Sequence, residues 1–190
     1  FDPNVELIRS ALGTGDGVIT ANFGTIENIA FVIDANSVNK SVGAYRIYID
    51  NVINVGADPN TGADVSIGAG FESYTLGQEV MFQEPGFSGS TGGNIELPST
   101  FPLVPNVSSI SDEYGNPGKS VKTSWVFVSS TAGRWIRLTT SSTGQPLRNP
   151  TINRRKPVKF DVLLLPVFPP DPPSLTNVVL AGDTLVTVRN

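Results

Sequence analysis

The chain has 190 residues, of which 39% are hydrophobic and only 16% charged, with a net charge of −4. That length suits one domain, or one domain with an arm, and is ample to bury a hydrophobic core without staples. Neither Cys nor His occurs, which removes thiol and disulfide chemistry, zinc sites of the usual ligand types and the commonest general base near neutral pH.

In chain order, Pro3 at a first helical position after Asp2, with Gly13 as a stop, predicts a short helix ending at Leu12. The signals then turn to strands. β-branched and aromatic runs at 18–23, 29–34 and 45–49 are bounded by Gly, Asn and Asp. In the third run Tyr45, Ile47 and Ile49 share one face, with Arg46 and Tyr48 on the other. Asp50-Asn51 offers a turn into a further strand at 52–55. Weaker strands are expected at 65–67, 71–76 and 79–83, followed by a polar, Gly- and Ser-rich surface loop at 84–93. The strongest runs, 121–129 and 134–140, are joined by Ser130-Thr131-Ala132-Gly133 and read as a hairpin. Residues 160–167 form an apolar run that reads as a buried strand ending or bulging at Pro166.

Many short strands, with Gly (19) and Pro (15) spread between them as turn residues, predict an all-β chain. The expected architecture is an antiparallel β-sandwich or jelly-roll-like domain with at most one short helix and a proline-bounded terminal arm. Residues 1–168 form the body. Four prolines in positions 169–173 enforce a stiff spacer that cannot pair within a sheet. Residues 174–190 form a C-terminal β arm, with Val178, Val179 and Leu180 before a turn at 181–183 and Leu185, Val186 and Val188 after it. Two placements bury these residues: the arm closes its own sandwich as a last hairpin, or the spacer carries it to a neighbouring subunit, where it adds a strand.

Three features are candidate sites. Asp58, Asn60 and Asp64 place hard oxygen ligands around a tight turn, as calcium loops do, although Asp-Pro-Asn-Thr-Gly is also an ordinary turn sequence and Ala69 fills the place where an EF-hand needs Glu. Arg154, Arg155 and Lys156, with Arg148 and Lys159 near them, form a basic cluster suited to a neighbour's acidic surface or an anionic glycan. Nucleic acid is not the expected partner, because the chain is acidic overall and has no aromatic residue between Trp135 and Phe160 to stack a base. The sequons at Asn39 and Asn106 are the candidate glycosylation sites.

Charge is divided unevenly: residues 1–100 hold 12 acidic and 3 basic side chains, a net of −9, and residues 101–190 hold 5 acidic and 10 basic, a net of +5. Carried onto opposed surfaces, such a division favours head-to-tail contacts, and a contact of that kind that does not close makes a fibre. The expected function is therefore a structural subunit of an extracellular fibre or pilus-like assembly, a homopolymer growing by β-strand exchange and located outside the cell or at its surface. The alternatives are a viral capsid or decoration protein, and a carbohydrate-binding adhesive module with Trp125, Trp135 and the tyrosines as sugar platforms. Catalysis is not expected: a nucleophilic Ser has no His to activate it, and only Glu72, Glu79 and Glu84 stand as acid–base candidates, by residue type alone. No cofactor is expected beyond calcium, and no apolar run reaches the 18–20 residues of a membrane-spanning helix.

Overall fold

A computed structural model describes residues 22–33, 44–96, 106–115, 118–127, 135–140, 144–166 and 175–179. These contain ten strands: β1 (Phe23–Thr25), β2 (Asn28–Ile33), β3 (Ala44–Asn54), β4 (Val65–Ser66), β5 (Val107–Ser111), β6 (Ser120–Val126), β7 (Trp135–Thr139), β8 (Thr151–Asn153), β9 (Val158–Pro166) and β10 (Leu175–Val179). All pairings between them are antiparallel. The fold is all-β and sandwich-like, as the sequence predicts. The only helical pieces among the described residues are single turns at Gly68–Phe71 and Gly89–Gly92. The predicted short helix ending at Leu12 lies outside the described residues.

The largest sheet is built around β3, with β6 along one side and β9 along the other. β5 extends it beyond β6, and β4 pairs with the end of β3. A second sheet has the order β10-β2-β7, and β1 and β8 form a separate pair. One hydrophobic core lies between the sheets. Strand alternation determines which residues enter it. Ile29 and Phe31 of β2, with Ile136 and Leu138 of β7, face Tyr45, Ile47, Ile49, Val121 and Trp125 of the larger sheet, all at most 2% exposed. Each such side chain contributes about 1.5–3 kcal/mol by burial. Tyr45 and Trp125 stack with ring centroids 5.7 Å apart, and Phe127 meets both edge-on.

The chain departs from the sequence reading at four places. Asp50-Asn51 is no hairpin turn: β3 runs through it for 11 residues. Asn51 absorbs the irregularity in the left-handed region (φ 49°), and the β3–β9 register shifts between Asp50 and Ile53. This is the bulge that an Asn, tolerant of positive φ, permits inside a strand. The second departure concerns β6 and β7, which form no hairpin. Both sides of β6 are occupied, by β3 and β5, and β7 pairs instead with β2 in the other sheet.

Residues 71–76 and 79–83 are not strands; they belong to an irregular connection laid over the core. It begins with Gly68, Ala69, Gly70 and Phe71, all at positive φ (71°, 48°, 66° and 64°). A left-handed conformation costs Ala69 and Phe71 about 1–2 kcal/mol each. The turn delivers Phe71, fully buried, to the core, and that burial is of comparable size. Val80, Met81 and Phe82 are buried behind it, held by backbone bonds from Gln83 N to Thr139 O (2.8 Å) and from Leu147 N to Val80 O (3.0 Å). Finally, 84–93 is not wholly a surface loop. Thr91 is fully buried, and its Oγ1 accepts the Arg137 N–H at 2.9 Å.

Candidate assembly surfaces

The C-terminal arm enters the fold through β10. Leu175, Asn177, Val178 and Val179 register with Ile33, Val32, Phe31 and Ala30 of β2. β2 is thereby flanked on both sides, by β10 and by β7, and among the described strands β10 is the outermost on its side. Val178 and Val179, two of the predicted interface residues, lie in this strand. Leu180, Leu185, Val186 and Val188 lie outside the described residues, as does Asn39.

The basic cluster and the acidic loop meet at one end of β3. Asn54, 1% exposed at the last position of β3, accepts the Asn153 N–H on Oδ1 at 2.6 Å and directs its amide toward the carbonyls of Asn153, Lys156 and Pro157 at 3.1–3.4 Å. A single buried amide thus fixes the β8–β9 turn, which carries Arg154, Arg155 and Lys156, against the strand from which loop 55–64 departs. Arg155 and Lys156 are exposed. Arg154 is half-buried, its aliphatic chain lying over Gly24, where a Cβ would collide with it. Lys156 extends above Gly56, the residue whose N–H Asp64 Oδ1 accepts at 2.8 Å. At this end of the molecule, acidic and basic segments from the two halves of the chain are therefore interleaved instead of opposed.

Within loop 55–64 the predicted metal ligands serve the turn. Asp58 Oδ1 accepts the N–H groups of Asn60 (2.8 Å) and Thr61 (3.0 Å), and these bonds hold its carboxyl below the ordinary carboxylate range. The backbone closes the turn through Gly62 N to Asp58 O (2.9 Å) and Asp58 N to Ala63 O (3.0 Å). Among the described residues no three His, Cys, Asp or Glu side chains gather as a metal site would need. Two of the three acid–base candidates also hold backbone: Glu72 Oε1 accepts Lys119 N–H (2.9 Å) and Glu84 Oε2 accepts Gly86 N–H (2.6 Å). At the Asn106 sequon, the side-chain nitrogen that a glycan would occupy donates to Glu96 O.

A polar cluster that the sequence reading did not single out lies on the outer face of the larger sheet. The Tyr48 hydroxyl donates to Glu113 Oε2 at 2.5 Å, and Lys122 Nζ donates to Glu113 Oε1 at 2.6 Å. Tyr48 and Lys122 are direct register partners on β3 and β6, which accounts for their meeting. The Lys122 ammonium, then the Tyr48 hydroxyl, hold the Glu113 carboxyl below its usual range, while burial and the neighbouring carboxylate push the Tyr48 phenol well up. Tyr114, about half exposed, meets the Tyr48 ring edge-on with centroids 4.9 Å apart.

Comparison with known protein families, curated proteins and solved structures finds no match to this chain. The site is therefore read from geometry alone. Of the aromatic residues that sequence offered as sugar platforms, Tyr45 and Trp125 are 2% exposed and consumed by the core, so neither presents a ring face to a ligand. No helix among the described residues is long and apolar enough to cross a membrane.

Among the described residues the remaining open backbone is at sheet edges, and β9 offers the longest: nine residues, paired within those residues with β3 alone. Its orientation follows from two hydrogen bonds. Val55 N donates to Pro157 O (2.8 Å), so residue 157 faces β3. Glu96 N–H, which is not part of β3, donates to Val126 O (2.9 Å), so residue 126 faces away from β3. By alternation Trp125 then bonds with Tyr45, leaving Arg46, Tyr48 and Asp50 to face β9 at residues 165, 163 and 161. Both routes give one answer: odd-numbered residues of β9 point their backbone at β3, and Val158, Phe160, Val162 and Leu164 point theirs outward. Pro166, the last residue, falls on the outward side, where its missing N–H costs the ladder nothing.

Proposed function

We propose that this chain is a non-catalytic structural subunit of an extracellular assembly, joined head to tail by exchange of its C-terminal strand. The observation that carries the reading is the position of β10. It lies beyond the proline spacer, yet it fills one side of β2, the middle strand of its sheet. Without it β2 would present a bare ladder of N–H and C=O groups next to the core residues Ile29 and Phe31. A strand that follows a proline-rich stretch of sequence is suited to be supplied by a second copy in the same register, since intramolecular and intermolecular pairing then use identical bonds. The absence of His and Cys agrees with a role that needs no reactive side chain.

Deleting residues 174–190 tests the reading. The truncated body is expected to stay folded, to lose head-to-tail growth beyond small closed assemblies and to bind an added peptide of the arm sequence. Aspartate at both Leu185 and Val188 of that peptide is expected to weaken its rescue, because alternate side chains fill pockets in strand addition. A truncated body that associates as the full chain does would refute strand exchange.

A further inference from the structure

The geometry points to a second contact between copies, independent of the arm: the outer edge of β9 pairs antiparallel with β9 of another copy about a two-fold axis at Phe160. The backbone groups of Val158, Phe160 and Val162 point outward, so two such edges present matching donors and acceptors. Along the same strand Lys159 and Asp161 are exposed and lie on the outer face of the sheet, one residue either side of Phe160.

That placement makes the edge self-complementary. Centred on Phe160, antiparallel pairing sets Val158 against Val162 of the second copy and Lys159 against Asp161 of the second copy, and repeats both by symmetry. Every charge on the edge then has an opposite partner directly across, the arrangement that stabilises a cross-strand pair. Neighbouring registers fail this test. Centring on Asp161 brings two Asp161 carboxylates face to face, and centring on Val162 sets Lys159 against Leu165 and Asp161 against Leu163. The charges thus select one register out of those that the backbone permits, and the occupant that matches them is this same strand.

The pairing also joins the two larger sheets into one continuous sheet and covers part of the apolar edge around Leu163, which is 38% exposed. The contact is isologous and closes on itself, so alone it gives dimers; strand exchange through β10 is heterologous and would link them onward.

Sedimentation velocity of the full-length chain over a concentration series tests the contact, with Lys159→Asp, Asp161→Lys, the double exchange and Val162→Pro. Wild type is expected to associate, as dimers that strand exchange links onward at higher concentration. Each single charge reversal sets two like-charged pairs in place of two opposite ones and is expected to weaken the dimer about tenfold or more. The double exchange restores opposite pairs across the axis and is expected to recover wild-type affinity. Because Asp161 also accepts the Asn51 amide at 2.8 Å, thermal unfolding of each variant separates loss of that bond from loss of the dimer. Val162→Pro removes an outward N–H that β3 does not use, and is expected to abolish the dimer while the monomer stays folded. A monomeric wild type, or a double exchange no better than the single reversals, would overturn the contact. So would self-association that vanishes on deletion of 174–190 but ignores every β9 change, which would assign it to the arm.

Discussion

Tyr48 shows how one side chain couples the outer sheet face to pH. The shift of Glu113 is downward, so its contribution to stability is present above the ordinary carboxylate pKa of about 4 and is lost as pH falls through its depressed folded value. The shift of Tyr48 is upward, so its contribution is complete below the ordinary phenol pKa of about 10 and is lost as pH rises through the folded value. Stability measured by urea denaturation is therefore expected to be flat near neutrality and to fall on both sides. Tyr48→Phe is expected to cost about 1–2 kcal/mol at neutral pH by removing the bond to Glu113 and to flatten the alkaline fall. An alkaline fall unchanged in Tyr48→Phe would place it elsewhere. Asp58 makes a different prediction. Because its carboxylate already accepts two N–H groups of its own turn, the turn holds without an ion, and a calcium chelator is expected to leave the melting temperature unchanged. A fall on chelation, abolished by Asp58→Ala, would instead make Asp58, Asn60 and Asp64 a calcium site.

At the scale of elements, alternation was legible wherever strands have one wet and one dry face. Tyr45, Ile47 and Ile49 could be placed on one side of β3 because that side is core, and β2, β6 and β7 lie close to where β-branched and aromatic runs put them. β9 carried the same signal, with Val158, Phe160, Val162 and Leu164 alternating with Lys159 and Asp161. Beginning the strand at Phe160 hid the first charged position and made an edge strand resemble a buried one. β5 escaped notice because Val-Ser-Ser-Ile-Ser has little apolar content; it is held by its ladder with β6 and by the buried Ser108–Thr123 hydroxyl pair, 3.1 Å apart. Partners that adjoin in space but not in sequence leave no local trace. A short Ser-Thr-Ala-Gly link fits a hairpin as well as a crossing between sheets, and only the competition of β3 and β5 for β6 decides between them. The connection 68–93 was misread for a related reason: its buried residues are held by left-handed backbone and distant carbonyls, which propensity does not register.

For the molecule as a whole, the prolines at 169–173 mark where an arm is expected to begin, whereas the edge on which β10 seats was not legible, since that depends on the assembled sheet. The charge division was legible as numbers but not as surfaces: Asn54 brings the basic turn and the acidic loop to the same end of β3. Among the described residues the proposed contacts use open backbone, at β9 and at the seat of β10, so on this reading specificity between copies would rest on register more than on net charge. The register of β10 on β2 supplies the most direct test. Ala30 and Val179 are register partners in a chain without cysteine, so Ala30→Cys with Val179→Cys creates the only disulfide the protein can form. After oxidation of assembled material and denaturation without reductant, strand exchange predicts a ladder of covalently linked chains, collapsing to monomer on reduction. A single band of internally crosslinked monomer from the same assembled material would contradict it.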